Sequence, residues 1–180
     1  MIADDLFQNG ILQLGMFATP HGMRSYRLRL ELLPAYPQLI APIVDRIRRT
    51  LQGRLPRYER LVADADSSVI GGIIAHQLDV PLVYSRGRGD APAIDLAGAY
   101  DVGHPAVLIV NAITPNTEAF IAGCVRVGLD IHTVVPIIGT VHTIDHINSH
   151  PVFHLYDIVS HLQQAGEISE DQRQTIMNER

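Results

Sequence analysis

Apolar residues in the second half of this chain fall into short solid runs and longer periodic ones, in alternation. "AVLIV" (106–110) is short and continuously apolar, as a strand buried on both faces is, and "VPLVYS" (80–85) and "DIHTVVPII" (130–138) read as further short strands. Between them, "VIGGIIAHQL" (69–78) and "TEAFIAGCVRVG" (117–128) are longer and read as helices. Gly128 stands where a left-handed residue closes a helix. "PVFHLYDIVSHLQQAG" (151–166) reads as a last strand and helix, and "EISEDQRQTIMNER" (167–180) as a short polar helix with Ser169 as its N-cap. Strands alternating with helices of this length predict an α/β fold, a parallel sheet with helices on both faces. Val107–Val110 is an interior strand in that scheme. The first third differs. "LQLGMFATPHGMRSYRLRLELL" (12–33) predicts a strand or hairpin region, and "APIVDRIRRTL" (41–51) an amphipathic helix.

In an open parallel sheet, ligands bind beyond the carboxyl ends of the strands. The loops after Ala63, Tyr84, Val110 and Ile138 are therefore the places to look for chemistry. The polar, glycine-rich "RGRGDAPAIDLAGAY" (86–100) is one of them.

Composition narrows the function classes. At 180 residues and 47% hydrophobic, the chain suits one domain with a full core. No apolar run approaches the ~20 residues that span a bilayer. "MIADDLFQNG" carries two aspartates and no basic residue, so it does not read as a signal peptide. A net charge of −5 argues against a nucleic-acid partner. Cys124 is the single cysteine, which excludes an internal disulfide and suits a reducing cytoplasm. It reads as a small buried hydrophobe on a helix. All fourteen basic residues are arginine. The absence of lysine removes Schiff-base chemistry and any lysine phosphate clamp.

The order of elements resembles the type I phosphoribosyltransferases, orotate phosphoribosyltransferase in particular, over nearly the full length. "LFQNGILQLGMFATPHGMRSY" is similar to the family's N-terminal stretch, with Gly15, Phe17, Gly22 and Ser25 at the matching spacing. "LDVPLVYSR" is similar to its strand after the second helix, and "AGAYDVG" to the segment after its mobile loop. "VLIVNAITPNTEA" takes the place of its signature motif, and "HPVFHLYDIVSHLQQAGEISEDQ" that of its closing strand, helix and tail. The resemblance implies one domain over 1–180: an N-terminal hood over about 1–36, an α/β core over 37–165 and a tail helix over 166–180. It also implies a homodimer with the active site near the interface, and transfer of ribose 5-phosphate from phosphoribosyl pyrophosphate (PRPP) to a base, with magnesium, in pyrimidine nucleotide metabolism.

The residues at the motif positions depart from that chemistry. Asn111 and Ala112 stand where the family has paired acids on the ribose hydroxyls. Asn111 can still hydrogen-bond; Ala112 cannot. In the phosphate cradle, Pro115 removes an N–H donor, and Thr117 and Glu118 replace glycines. Two readings follow: Asn116 or Thr117 caps the helix and occupies the donors a phosphate would use, or Thr114, Asn116 and Thr117 still hold a small neutral or weakly anionic ligand. "ADADSS" (63–68) aligns with the pyrophosphate loop. Asp64 and Asp66 would repel two phosphates unless a metal bridged them. The plainer reading is a solvated turn in which Ser67 or Ser68 caps the next helix. The glycine pair of "IGGIIA" lies inside a helical run and is a weak signal. In the mobile loop, Arg86 and Arg88 are the remaining cations and the best anion contacts.

"HTIDHINSHPVFH" spaces His142, His146, His150 and His154 by four, a helical metal-site spacing. Pro151 and the strand-like "PVFHL" break any such helix, so scattered loop histidines are expected and no metal is assigned. The expectation is a fold that has lost the transferase chemistry. No residue is assigned as catalytic and no cofactor is expected. The ligand or phosphate-binding candidates are Asn111, Thr114, Asn116, Thr117, Ser67, Ser68, Arg86 and Arg88, for a nucleotide- or phosphate-like small molecule held by a regulatory or ligand-binding homodimer. No nucleic acid or membrane is expected as a partner. The rivals are a divergent active transferase using PRPP and magnesium around Asp64, Asp66 and Asp95, a dimer that pairs with a genuine transferase, and a histidine metal site.

Overall fold

In a computed structural model of the chain, the described residues are 2–19, 22–54, 57–87, 95–140, 143–144 and 146–179. A short helix, α1 (Ile2–Gln8), leads into an antiparallel hairpin of β1 (Leu12–Thr19) and β2 (Gly22–Leu28). A 3-10 turn over Leu30–Ala35 carries the chain to α2 (Pro37–Arg54). The α/β core then runs β3 (Arg60–Ala63), α3 (Ser68–Leu78), β4 (Leu82–Ser85), β5 (Leu96–Ala97), β6 (Pro105–Val110), α4 (Pro115–Arg126) and β7 (Asp130–Pro136). Four short strands follow, β8 (Ile138–Gly139), β9 (Thr143–Ile144), β10 (Ile147–Ser149) and β11 (Phe153–His154), and the chain closes with α5 (Leu155–Gln164) and α6 (Glu170–Asn178).

The central sheet has the order β5-β4-β3-β6-β7-β10-β9. Its four inner pairings are parallel, and the outermost pairs β4–β5 and β9–β10 are antiparallel. The expected parallel sheet is present, with Val107–Val110 interior between β3 and β7. β6 shows why both faces need helices. Val107 and Ile109 join the core formed with α2, α3 and α5, while Ala106, Leu108 and Val110 join the core formed with α4. The side chains alternate between two apolar compartments rather than between core and water.

The helices are anchored as the sequence pattern requires. Leu39, Ile43, Ile47 and Leu51 give α2 a buried stripe at fourfold spacing. The glycine pair of α3 has a packing role: a Cβ on Gly71 would come within 2.8 Å of the Ala63 Cβ, so the bare backbone lets α3 lie close on β3. Gly128, at φ +98, follows the end of α4 as expected. Ser169 caps α6, accepting from the Gln172 amide at 3.2 Å while Gln172 Oε1 accepts from the Ser169 amide. Cys124 is fully buried on α4, and burial pushes its thiol up to about 12. The hood packs as part of the main body, because Leu6, Ile11, Leu12, Leu30 and Leu33 belong to the same core as α2 and α5. No described helix is long and apolar enough to cross a membrane.

Candidate functional site

β3 and β6 run parallel, with Ala63 beside Ile109, so their two following loops leave the same sheet edge together. Between these loops and the start of the 3-10 turn lies a cleft of about 240 Å³. Val110 and Phe120 contribute apolar surface, Leu28, Leu30 and Glu31 form the hood side, and Gly87 borders it where the 86–100 loop departs. This is the strand-end position expected for a ligand in such a sheet.

The loop into α4 is closed by its own hydroxyls. Thr114 is the residue before the helix, and its amide donates to Thr117 Oγ1 at 2.9 Å. The Thr117 amide donates to the Thr114 carbonyl at 2.9 Å. The expectation that Asn116 or Thr117 caps the helix is corrected: the cap is Thr114, two residues before Asn116 and three before Thr117. Pro115 takes the first helical place, where its fixed φ suits and its missing N–H costs nothing, and this makes Thr114 the cap. Thr117 reaches back from the third helical place and is buried. Asn116 is exposed beside the cleft.

The loop into α3 is closed by a carboxylate. Asp64 Oδ1 accepts from the Ser67 amide at 2.9 Å and from the Ser67 hydroxyl in a shorter bond. Ser67 Oγ also lies 2.9 Å from the Ile109 carbonyl, so its single proton is shared between that oxygen and Asp64 Oδ1, tying the loop to β6. Ser68 Oγ donates to the Ala65 carbonyl at 2.8 Å. The solvated turn expected here is corrected in part: Ser67 stands at the N-cap position of α3, as one of the two residues expected there, but the turn is not simply solvated. Ser67 is buried, Asp64 is half-buried, and neither serine hydroxyl caps the helix amides directly. Burial raises the Asp64 carboxyl above its ordinary range, with the two Ser67 bonds opposing that shift.

Asn111 links the two loops. Its Nδ2 donates to the Asp66 carbonyl at 3.1 Å, while its Oδ1 is buried without a partner. An aspartate could not make this donation, so the amide has a structural role that an acid at the same place would lose.

The candidates thus divide. Asn111, Thr114, Asn116 and Thr117 come together on the cleft with Asp64 and Asp66, whereas Ser67 and Ser68 support it from behind. Arg86 is paired with Asp95: its Nε donates to Asp95 Oδ1 at 3.0 Å, and its amide donates to the Asp95 carbonyl at 2.9 Å. Arg88 lies outside the described residues. Among the described residues the cleft is lined by three carboxylates, Glu31, Asp64 and Asp66, and by no cation. Glu31 has Arg29 beside it at 3.3 Å. The sequence reading did not include Glu31, because nothing in "RLRLELLPA" signals that the 3-10 turn faces the strand ends.

A protein-held magnesium does not fit these residues. Asp64 Oδ1 is committed to Ser67, Asp95 to Arg86, and no group of three His, Cys, Asp or Glu side chains able to share an ion occurs among the described residues. The histidines are scattered as expected. His146 sits at φ +70 in the turn between β9 and β10, His150 follows β10 and His154 precedes α5, while His142 lies outside the described residues.

No protein-family model matches the chain, and no curated protein matches it in sequence. Solved structures do match in fold. The UMP synthase of Leishmania donovani superimposes with a TM-score of 0.81 at 17% identity, over 98% of this chain and 40% of that one. The present chain thus spans well under half of that protein. The orotate phosphoribosyltransferase of Aeropyrum pernix matches with a TM-score of 0.72 at 19% identity, over 94% of this chain and 100% of that one. The Francisella tularensis orotate phosphoribosyltransferase matches at 0.68 and 16% identity, over 98% of this chain and 92% of that one. The chain has the type I phosphoribosyltransferase fold, of the orotate phosphoribosyltransferase-like kind.

Proposed function

We propose that the chain is a phosphoribosyltransferase-fold protein that has lost PRPP-dependent transfer and acts by binding a small molecule, as a homodimer. One observation carries this reading: the cleft that would receive a phosphorylated ribose presents Asp64, Asp66 and Glu31, and no cation among the described residues. Two like charges 4 Å apart repel by about 4 kcal/mol at the effective dielectric of a protein surface. PRPP would bring several such charges to these carboxylates. The helix terminus that would hold a phosphate by its amides has the Thr114 and Thr117 amides bonded to the chain's own oxygens. A nucleotide- or phosphate-like ligand meets the same opposition, which favours a neutral or cationic small molecule. The exposed Met16 and Met23 on the β1–β2 hairpin support a dimer interface at the hood.

Two experiments test the proposal. With orotate, PRPP and Mg²⁺, the protein should form no orotidine monophosphate above background. The double variant Asn111→Asp, Ala112→Asp should stay inactive, since it restores neither amide donors nor positive charge. Product at an enzyme-like rate from the native chain would refute the loss of transfer. Light scattering should give a dimer mass at micromolar concentration, and a clean monomer would remove that part.

A further inference from the structure

We infer that Ser25 and Arg24 on the hood form a carboxylate-binding notch that Glu179, from the chain's own tail, occupies as an internal ligand. The notch arises from a defect in the hairpin. β1 and β2 pair Leu14 with Tyr26 and Phe17 with Arg24, so Gly15 and Met16 together oppose the single residue Ser25. Such a bulge interrupts the ladder and leaves a backbone group to be satisfied elsewhere. Here the Ser25 amide donates to Glu179 Oε1 at 2.6 Å, across 154 positions of sequence. The Arg24 guanidinium lies 3.9 Å from Glu179 Oε2.

The site is enclosed and incompletely satisfied. Ser25 is 9% exposed, and its hydroxyl has no partner. Glu179 Oε2 is likewise buried without a hydrogen bond. An amide donor, a free hydroxyl donor and a nearby guanidinium together suit a carboxylate, and suit a neutral amide less well. Glu179 immediately follows α6, so its insertion fastens that helix against β2. β2 in turn runs into Leu28 and Leu30, which line the cleft. The tail is therefore a strap on the hood wall of the cleft, held by a replaceable carboxylate. This inference is independent of whether the cleft retains any transferase chemistry.

Amide hydrogen exchange on the whole chain tests it. In Glu179→Ala, the Ser25 amide should exchange at least tenfold faster than in the native protein, with the β6 amides unchanged. Acetate should restore Ser25 protection in that variant, while chloride at equal ionic strength and the neutral isostere acetamide should not. Unchanged Ser25 exchange in Glu179→Ala, or rescue by acetamide equal to that by acetate, would overturn the inference. If Glu179→Ala fails to fold, Glu179→Gln serves instead. It keeps an acceptor and loses the charge, and should exchange faster at Ser25; exchange equal to that of the native protein would overturn the carboxylate assignment.

Discussion

The loop into α3 and the loop into α4 leave one sheet edge side by side, and each closes its helix differently. The α4 loop uses neutral hydroxyl groups, with Thr114 and Thr117 exchanging bonds under a proline that fits the first turn. The α3 loop uses a half-buried carboxylate, with Asp64 gathering the Ser67 amide and hydroxyl while Ser67 reaches on to Ile109. At both, groups that could face a ligand are engaged by the chain itself. The difference lies in charge. The α4 closure is electrically neutral and independent of pH, whereas the α3 closure holds an ionisable group in a place that disfavours its charge.

Mutations should separate the two closures, and the largest effect belongs to the α3 loop. Ser67→Ala removes the buried hydroxyl shared between Asp64 and the Ile109 carbonyl, while the backbone amide bond to Asp64 survives, at a cost of about 2 kcal/mol. Urea denaturation would measure this, and a loss no larger than that of an exposed serine would show that the link to β6 is dispensable. Thr117→Val keeps the shape but removes the back-bond to the Thr114 amide, and should cost about 1 kcal/mol, a typical value for a lost cap. That cost should not vary with pH.

Asp64→Asn should give the smallest change and the one with the opposite sign. Burial raises the folded-state pKa of Asp64 above its unfolded value. The proton is therefore held more firmly in the fold, and the stability it contributes is complete below the unfolded pKa and lost as pH rises through the folded one. Asparagine stays neutral and can still accept from the Ser67 amide. The variant should match or exceed the native protein in stability at neutral pH, with that margin shrinking as the pH falls and native Asp64 protonates. Parallel denaturation curves at acid and neutral pH would measure it. A deficit that is greatest at neutral pH would show that the ionised form is the one the fold prefers.

What the sequence made legible depended on whether local pattern or tertiary context decided the outcome. β6 was readable because a strand buried on both faces is apolar at successive positions, and α6 because Ser169 offers an N-cap ahead of a polar helical run. α1 was not readable. Of its seven residues only Ala3 and Leu6 are fully buried, and Asp4 is joined to His161 at 2.8 Å from the far end of the chain. The cap of α4 was placed approximately: Thr114 takes the role because Pro115 fixes the first helical position, a shift of two or three residues. The inward turn of Asp64 was hidden, because a carboxylate between alanines in "ADADSS" reads as solvated until Ser67 and Ile109 are brought beside it. The cleft's acidic hood side was hidden too, because Glu31 approaches the strand ends only through the 3-10 turn. The fold is thus written in periodicity, and the electrostatics of the site in contacts between segments distant in sequence.

The three carboxylates of this cleft are proposed to reject a phosphorylated ribose. Calorimetric titration of the native chain with PRPP and Mg²⁺ addresses this most directly. No heat beyond dilution is expected at millimolar ligand, corresponding to binding weaker than about −4 kcal/mol. Saturable binding at micromolar concentration, about −8 kcal/mol, with one site per chain, would contradict it.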